Sequence, residues 1–397
     1  MSEPQVGDDG IPGDAGIHGH VDPAFERVRH AFALNFAEGR EVGASFAVEL
    51  DGRPVVDLWG GFADRARTRP WQADTLANVW STTKGFASLC IAMIVDRGRL
   101  SYEQTVASVW PEFAAAGKER LTIGEAMSHQ AGLSGLTTKL SAHDYADHDA
   151  MARRIAAQAP MFEAGQSGYH AITHGFIASE LVRRTVGRTL GQFFAESVAV
   201  PLGADAWIGL PESEDGRVCE MLRAHVRAGT PQPALPPHPA ARAALANPPL
   251  DGEAPNERWW RAAEIPSANG QANARSIATI YGMLARGGEA GGRRYLSAAT
   301  TGEATRERVH STDLVLGFPM RWGAGFLLND GTIYGPNPHA FGHSGWGGSF
   351  GCADPDAKLG IGYAMNQMYA NVRGDPRSLA LVRAVYDSVA EKGDRSI

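Results

Sequence analysis

Strand-like patterns occupy both ends of this 397-residue chain, with helix-like patterns between them, and that arrangement most restricts the fold. Near the N-terminus, residues 44–50 and 54–59 alternate around Asp51-Gly52, a strong hairpin signal. Towards the C-terminus, residues 322–328 precede the turn Asn329-Asp330-Gly331, and strand-like runs follow at 340–346, 349–354 and 359–366. Helical spacing marks Phe25, Val28, Phe32 and Phe36, then residues 123–127, 150–158, 172–186 and 190–198, and last 378–391. The expected fold is α/β of the α+β kind: a central antiparallel sheet assembled from both chain ends, flanked by helices and interrupted by a mostly helical region. The expected division is a flexible arm over 1–20, a sheet domain from 21–85 and 267–397, and a mainly helical region over 86–266. The active site is expected where the last two meet. The proline-rich segment 230–256 reads as irregular surface wrapping.

Composition removes several function classes. With 44% hydrophobic and 20% charged residues the chain can bury a sizeable core. A net charge of −7, spread along the sequence, suggests no nucleic-acid or membrane partner. Cys90, Cys219 and Cys352 are far apart and odd in number, which points to reduced thiols in the cytoplasm rather than disulfides or a zinc site. Residues 1–19 lack the basic and apolar regions of a signal peptide, and the longest apolar run, within 86–95, is too short to span a bilayer. His18-Gly19-His20-Val21-Asp22 imitates a metal motif, yet Pro23 follows it and a glycine-rich arm precedes it, so it is read as coil; no metal or cofactor is expected.

Trp80-Ser81-Thr82-Thr83-Lys84-Gly85 opens the apolar run. Three residues apart on a helix, Ser81 and Lys84 are neighbours at about 5–6 Å between Cβ atoms, close enough for a nucleophile and its base. No other serine has a lysine at its third downstream position, and the chain contains only five lysines. Lysine, unlike arginine, loses its proton when buried, which suits it to be a base. Ser81 also falls at a helix N-terminus, where free N–H groups favour developing negative charge.

The chain resembles the serine β-lactamase and penicillin-binding-protein superfamily, and within it the family VIII carboxylesterases. Three elements carry the likeness in order: Ser81-Thr82-Thr83-Lys84, Tyr169-His170-Ala171, and His343-Ser344-Gly345-Trp346-Gly347-Gly348. Residues 127–133, Pro201-Leu202-Gly203 and Ala268-Asn269-Gly270 look typical of these esterases as well. The resemblance implies Ser81, Lys84 and Tyr169 as catalytic residues and the amides of Ser81 and Trp346 as the oxyanion hole. It also implies His343, Ser344, Gly345 and Trp346 as substrate contacts. Whether Lys84 or Tyr169 is the formal base stays open at this stage.

Two departures from the superfamily pattern bear on substrate. Ala171 stands where β-lactamases usually carry an Asn that binds the substrate amide, and His343 replaces the Lys that recognises a carboxylate. The expectation is therefore a serine carboxylesterase of short-acyl-chain esters, with a small-molecule ester as partner and room for weak β-lactam hydrolysis. A class C-like β-lactamase, an amidase or an acyltransferase on the same residues is the alternative, and a non-catalytic penicillin-recognising module comes last. Trp80, Trp259, Trp260, Trp322 and Phe350 are candidate pocket residues. An α/β-hydrolase built on Gly342-His343-Ser344-Gly345-Trp346 is rejected, because its fifth residue is Trp and no His follows Ser344. Oligomeric state is not legible, and a homo-oligomer stays open.

Overall fold

The computed structural model describes residues 16–163, 165–224, 235–370 and 374–394. Its centre is an antiparallel sheet of nine strands. The strands are β1 (Ile17–Val21), β2 (Gly43–Leu50), β3 (Arg53–Gly61), β4 (Val309–Thr312), β5 (Pro319–Trp322), β6 (Leu327–Leu328), β7 (Phe341–Ser344), β8 (Phe350–Asp354) and β9 (Leu359–Met365). Their spatial order is β1-β3-β2-β9-β8-β7-β6-β5-β4, so the last strand in sequence pairs with the first hairpin. The β9–β2 register runs from Leu359 opposite Leu50 to Met365 opposite Ala44. The two chain ends thus meet in mid-sheet, and the intervening chain is an insertion between β3 and β4. Ile17–Val21 pairs with β3 as an edge strand. The arm expected over 1–20 is corrected in that part, because the β3 edge offers ladder hydrogen bonds to its last residues. Residues 1–15 lie outside the described residues.

Glycines set how closely helices approach the sheet. In β9 Gly360 and Gly362 alternate with Ile361 and Tyr363, so the glycines share one face. Helix Ala274–Ala285 lies on that face, and a Cβ at Gly360 would stand 2.2 Å from the Gly282 nitrogen. On the other face helix Glu26–Ala37 packs against the C-terminal helix Pro376–Asp394. Helix Thr83–Asp96 is buried from Thr83 through Ile94. An all-round apolar helix needs such a central position, and it packs between helix Thr173–Val186 and strand β7. Of the proline-rich segment, Pro231 and Pro233 lie outside the described residues. The remainder contains a short helix, Pro239–Leu245, and Asn247 ties it down by donating to the Leu136 and Thr138 carbonyls.

A buried ionic cluster joins the ends of the fold. Arg377 is fully buried and donates to Glu41 Oε2 at 2.9 Å, Asp375 Oδ2 at 2.7 Å and the Gly347 carbonyl at 2.7 Å. Burial dominates Glu41 and raises its carboxyl to about 7 despite the Arg377 charge. Removing the cation leaves two acids buried without it, which typically costs about 3–5 kcal/mol. Arg377→Met should lower the unfolding free energy by about that amount in urea titrations; a loss under about 1 kcal/mol would contradict this account.

Candidate active site

Ser81 sits in a single 3-10 turn, Trp80–Thr82, that runs directly into helix Thr83–Asp96. Trp80 holds φ at 46°, a left-handed conformation that bulky residues avoid. Neighbouring bonds hold this turn in place. Thr83 Oγ1 donates to the Trp80 carbonyl at 2.5 Å and accepts from the Gly270 amide at 2.9 Å, while Val79 N donates to the Gly270 carbonyl at 2.8 Å. A Cβ at Gly270 would come within 2.6 Å of Thr83 Oγ1, which is why the Ala268-Asn269-Gly270 stretch ends in glycine. Ser81 is thereby presented half-buried at the head of an otherwise buried helix.

One turn on, Lys84 is fully buried, and its Nζ has three oxygen neighbours. They are Ser81 Oγ at 3.1 Å, the Ala171 carbonyl at 2.7 Å and the Ser267 carbonyl at 3.0 Å. Burial holds the amine well below the ordinary lysine range. A neutral amine has two N–H donors and one lone pair. The carbonyls accept but cannot donate, so they take both N–H groups and leave the lone pair facing the Ser81 hydroxyl.

Tyr169 closes the group. Its hydroxyl interacts with the Ser81 side chain, its ring lies 4.8 Å from Lys84 Nζ, and Trp322 stacks on it at 5.8 Å and 13°. Burial, the largest effect, pushes the phenol well above its usual range; the Asp313 charge adds to this and the Ser81 bond opposes it. The phenol therefore keeps its proton near neutrality.

Strand β7 delivers the third element. Gly345 lies so close to the nucleophile turn that a Cβ there would meet the Val79 carbonyl at 2.3 Å. Ser349 Oγ donates to the same carbonyl at 2.8 Å and contacts Thr82 Oγ1 at 3.2 Å, which fastens the strand's end to the serine turn. Trp346 is 37% exposed at the lip and packs edge-on against Trp80 at 4.9 Å. His343 is buried behind the strand, where burial drives its pKa to about 3, so it is neutral. Ser344 departs from the expected role: its hydroxyl pairs with Tyr334 at 3.0 Å. Side-chain alternation sends it to the face opposite His343, so its hydroxyl is turned away from that side. Phe350 shares that far face, 6.3 Å from Tyr334 and 6.0 Å from Tyr363, and so does not line the site. Trp80, Trp260 and Trp259 instead form a row leading away from Trp346, with ring separations of 5.4 and 5.7 Å between successive members.

Sequence reasoning missed a wall of buried histidines behind Tyr169. His129 lies 5.0 Å from the Tyr169 ring, 4.4 Å from Trp322 and 5.1 Å from His174. Its Nδ1 accepts from the His170 amide at 3.1 Å. Burial lowers all three histidines, His170 to about 4, so the wall is uncharged. Their scattered positions in the chain give no periodic signal of their own; they fall within residues 127–133, 169–171 and 172–186. Far from here, His18 and His20 lie exposed on edge strand β1 and Asp22 accepts from the Ala24 amide as a helix cap.

The fold and this serine–lysine–tyrosine group define a class, and the comparisons agree: the family model described as Beta-lactamase matches residues 26–385, and the chain belongs to that family. Among solved structures it is similar to a family VIII carboxylesterase, 51% identical, covering 94% of this chain and all of the other at a TM-score of 0.89. A penicillin-binding protein homologue from Caulobacter crescentus is 46% identical, with the same coverage and TM-score. Among curated proteins, Esterase/beta-lactamase LipL of Mycobacterium tuberculosis is 38% identical over 89% of this chain and 84% of its own length.

Because the Val79 carbonyl as well as the Ser349 hydroxyl crowds Gly345, substitution there should displace the strand. Gly345→Ala is expected to cut ester kcat on the order of 10²-fold with little change in melting temperature. An unchanged kcat would show that the close approach to Val79 does not matter to the site.

Proposed function

We propose that this chain is a serine carboxylesterase that hydrolyses short-acyl-chain esters through an acyl-Ser81 intermediate. The observation that carries the reading is the Lys84 amine: buried, held by two carbonyls and 3.1 Å from Ser81 Oγ, with burial lowering its proton affinity. Lys84 takes the Ser81 proton as the hydroxyl attacks the ester carbonyl. The protonated Lys84 then has three N–H donors for its three oxygen neighbours, which satisfies its hydrogen bonds while it holds the proton. Tyr169 passes a proton to the leaving alkoxide and is reprotonated from Lys84. Water next attacks the acyl carbon, gives its proton to Lys84, and the Ser81 Oγ–acyl bond breaks as that proton returns to Ser81 Oγ, releasing the acid and the free enzyme. A protonated phenol suits Tyr169 to the donor role and leaves Lys84 as the base. The Ser81 and Trp346 amides form no backbone hydrogen bond within the described residues, which supports assigning them to the oxyanion. Nucleophile, base and acid are all side chains, so this chemistry calls on no cofactor or metal.

Substrate class follows from charge and shape. His343 and the histidine wall are neutral, so nothing there compensates a substrate carboxylate. Ala171 contributes a carbonyl to Lys84 rather than an amide side chain to substrate. Trp346 beside Trp80 offers an apolar lip instead. β-Lactam hydrolysis, amide hydrolysis and acyl transfer are minor outcomes of the same acyl-serine, and the name of the LipL relative supports the first. We also propose the division into a sheet part (21–85 and 267–397) and a mainly helical part (86–266), with the site where they meet. Three buried free cysteines support a reducing, cytoplasmic setting. No helix among the described residues is long and apolar enough to cross a membrane.

Intact-mass spectrometry after a phosphonate probe should show one adduct, absent in Ser81→Ala; labelling that survives the substitution would end this reading. Lys84→Arg, which cannot lose its proton, should lower kcat about 10²–10⁴-fold. For the wild type, kcat/KM should rise as Lys84 deprotonates and reach its plateau well below the ordinary lysine pKa. Esters should exceed cephalosporins in kcat/KM by orders of magnitude, and parity would count against the substrate assignment.

A further inference from the structure

Tyr169 has no secondary structure to hold it. Residues 166–170 belong to neither helix nor strand, and helix Thr173–Val186 begins only afterwards. A hydroxyl that must face Ser81 Oγ needs its backbone fixed by other means. The hairpin of β4 and β5, on the outer edge of the sheet, supplies them.

Asp313, in the turn of that hairpin, is completely buried. Its Oδ1 accepts from the Tyr169 amide at 2.9 Å, across 144 residues of sequence, and from the Val315 and Leu316 amides at 2.9 and 3.0 Å. Its Oδ2 accepts from Ser167 Oγ at 3.3 Å. The Leu314 amide donates to the Ser167 carbonyl at 2.8 Å, and Ser167 Oγ contacts Ser311 Oγ at 3.1 Å. The same hairpin carries Trp322, whose ring stacks on Tyr169. A turn needs only the two local amides from such a residue. The bonds to Tyr169 and Ser167 go beyond that need, and they come from a buried carboxyl group, which is tolerated only when well hydrogen-bonded.

We propose that Asp313 is a positioning residue for the reaction: it fixes the Tyr169 backbone and thereby holds the phenol opposite Ser81 Oγ. The proposal rests on the serine esterase reading, in which Tyr169 relays the proton. The hairpin is then a brace between the sheet edge and the helical region, placed where a small shift moves the phenol out of reach of the leaving oxygen.

Three variants and a cycle test it, with turnover of a short-chain p-nitrophenyl ester as the readout. Asp313→Asn keeps an oxygen for the three amides and turns an NH2 towards Ser167 Oγ, so kcat should stay within about threefold of wild type. Asp313→Ala should lose on the order of 10²-fold in kcat with KM within about threefold. Asp313→Ser keeps a short acceptor for the Val315 and Leu316 amides but does not reach Tyr169. It should melt near the wild type and still lose kcat, which guards against an Ala variant that fails to fold. In a Tyr169→Phe background, either Asp313 loss should add less than about threefold, since the residue acts through the phenol. Wild-type kcat in Asp313→Ser, or losses that multiply fully with Tyr169→Phe, would overturn the positioning role alone. Wild-type kcat in Tyr169→Phe would overturn the proton-relay reading itself, and this proposal with it.

Discussion

A lysine amine buried without a counter-ion is the constraint around which this structure is arranged. Lys84 Nζ has only oxygen neighbours that are uncharged: two main-chain carbonyls and the Ser81 hydroxyl. An ammonium in such a place is penalised for losing water, and burial lowers its proton affinity. The carbonyls come from Ala171 and Ser267, one from the helical region and one from the start of the returning sheet part. Only a fold that brings three distant segments together can make this arrangement. Lys118 shows the contrast: it is also buried and donates to the Ala115, Ala156 and Gln158 carbonyls, yet no hydroxyl nucleophile is among these partners. Burial lowers a lysine; the neighbouring hydroxyl gives that lowering a use.

The rest of the structure keeps that group from relaxing. The strained Trp80 backbone persists because Thr83, Gly270 and Val79 bracket it with hydrogen bonds. Strand β7 comes close to the serine turn at Gly345, and the turn just beyond it is gripped by Arg377 through the Gly347 carbonyl. Neutral histidines and Trp322 fill the space behind Tyr169, adding polar shape without charge. Charge is concentrated elsewhere, in the Glu41–Arg377–Asp375 cluster on the opposite face of the sheet.

Much of this was legible beforehand because it is local. Asp51-Gly52 is a turn between β2 and β3, and the run after Lys84 is a buried helix. Ser81, Lys84 and Tyr169 converge as the motif order implied. The misses share a cause. Strand β1 looked like a coil because a five-residue edge strand needs a partner more than a pattern. Ser344 enters through the third motif of the resemblance and Phe350 as an aromatic pocket candidate, while strand alternation puts both on the face opposite His343. Asp313 and the histidines carry no spacing signal, since what they touch lies over a hundred residues off or on another element.

By itself, then, the sequence determined the Ser81–Lys84 pair and a sheet built from both chain ends, because spacing and alternation act over a few residues, while the order of the three motifs came from the family resemblance. Only the tertiary structure decided that the Lys84 amine is neutral and that the Tyr169 phenol keeps its proton. Those states depend on desolvation and on carbonyls from distant segments, and neither is a property of any short stretch of chain.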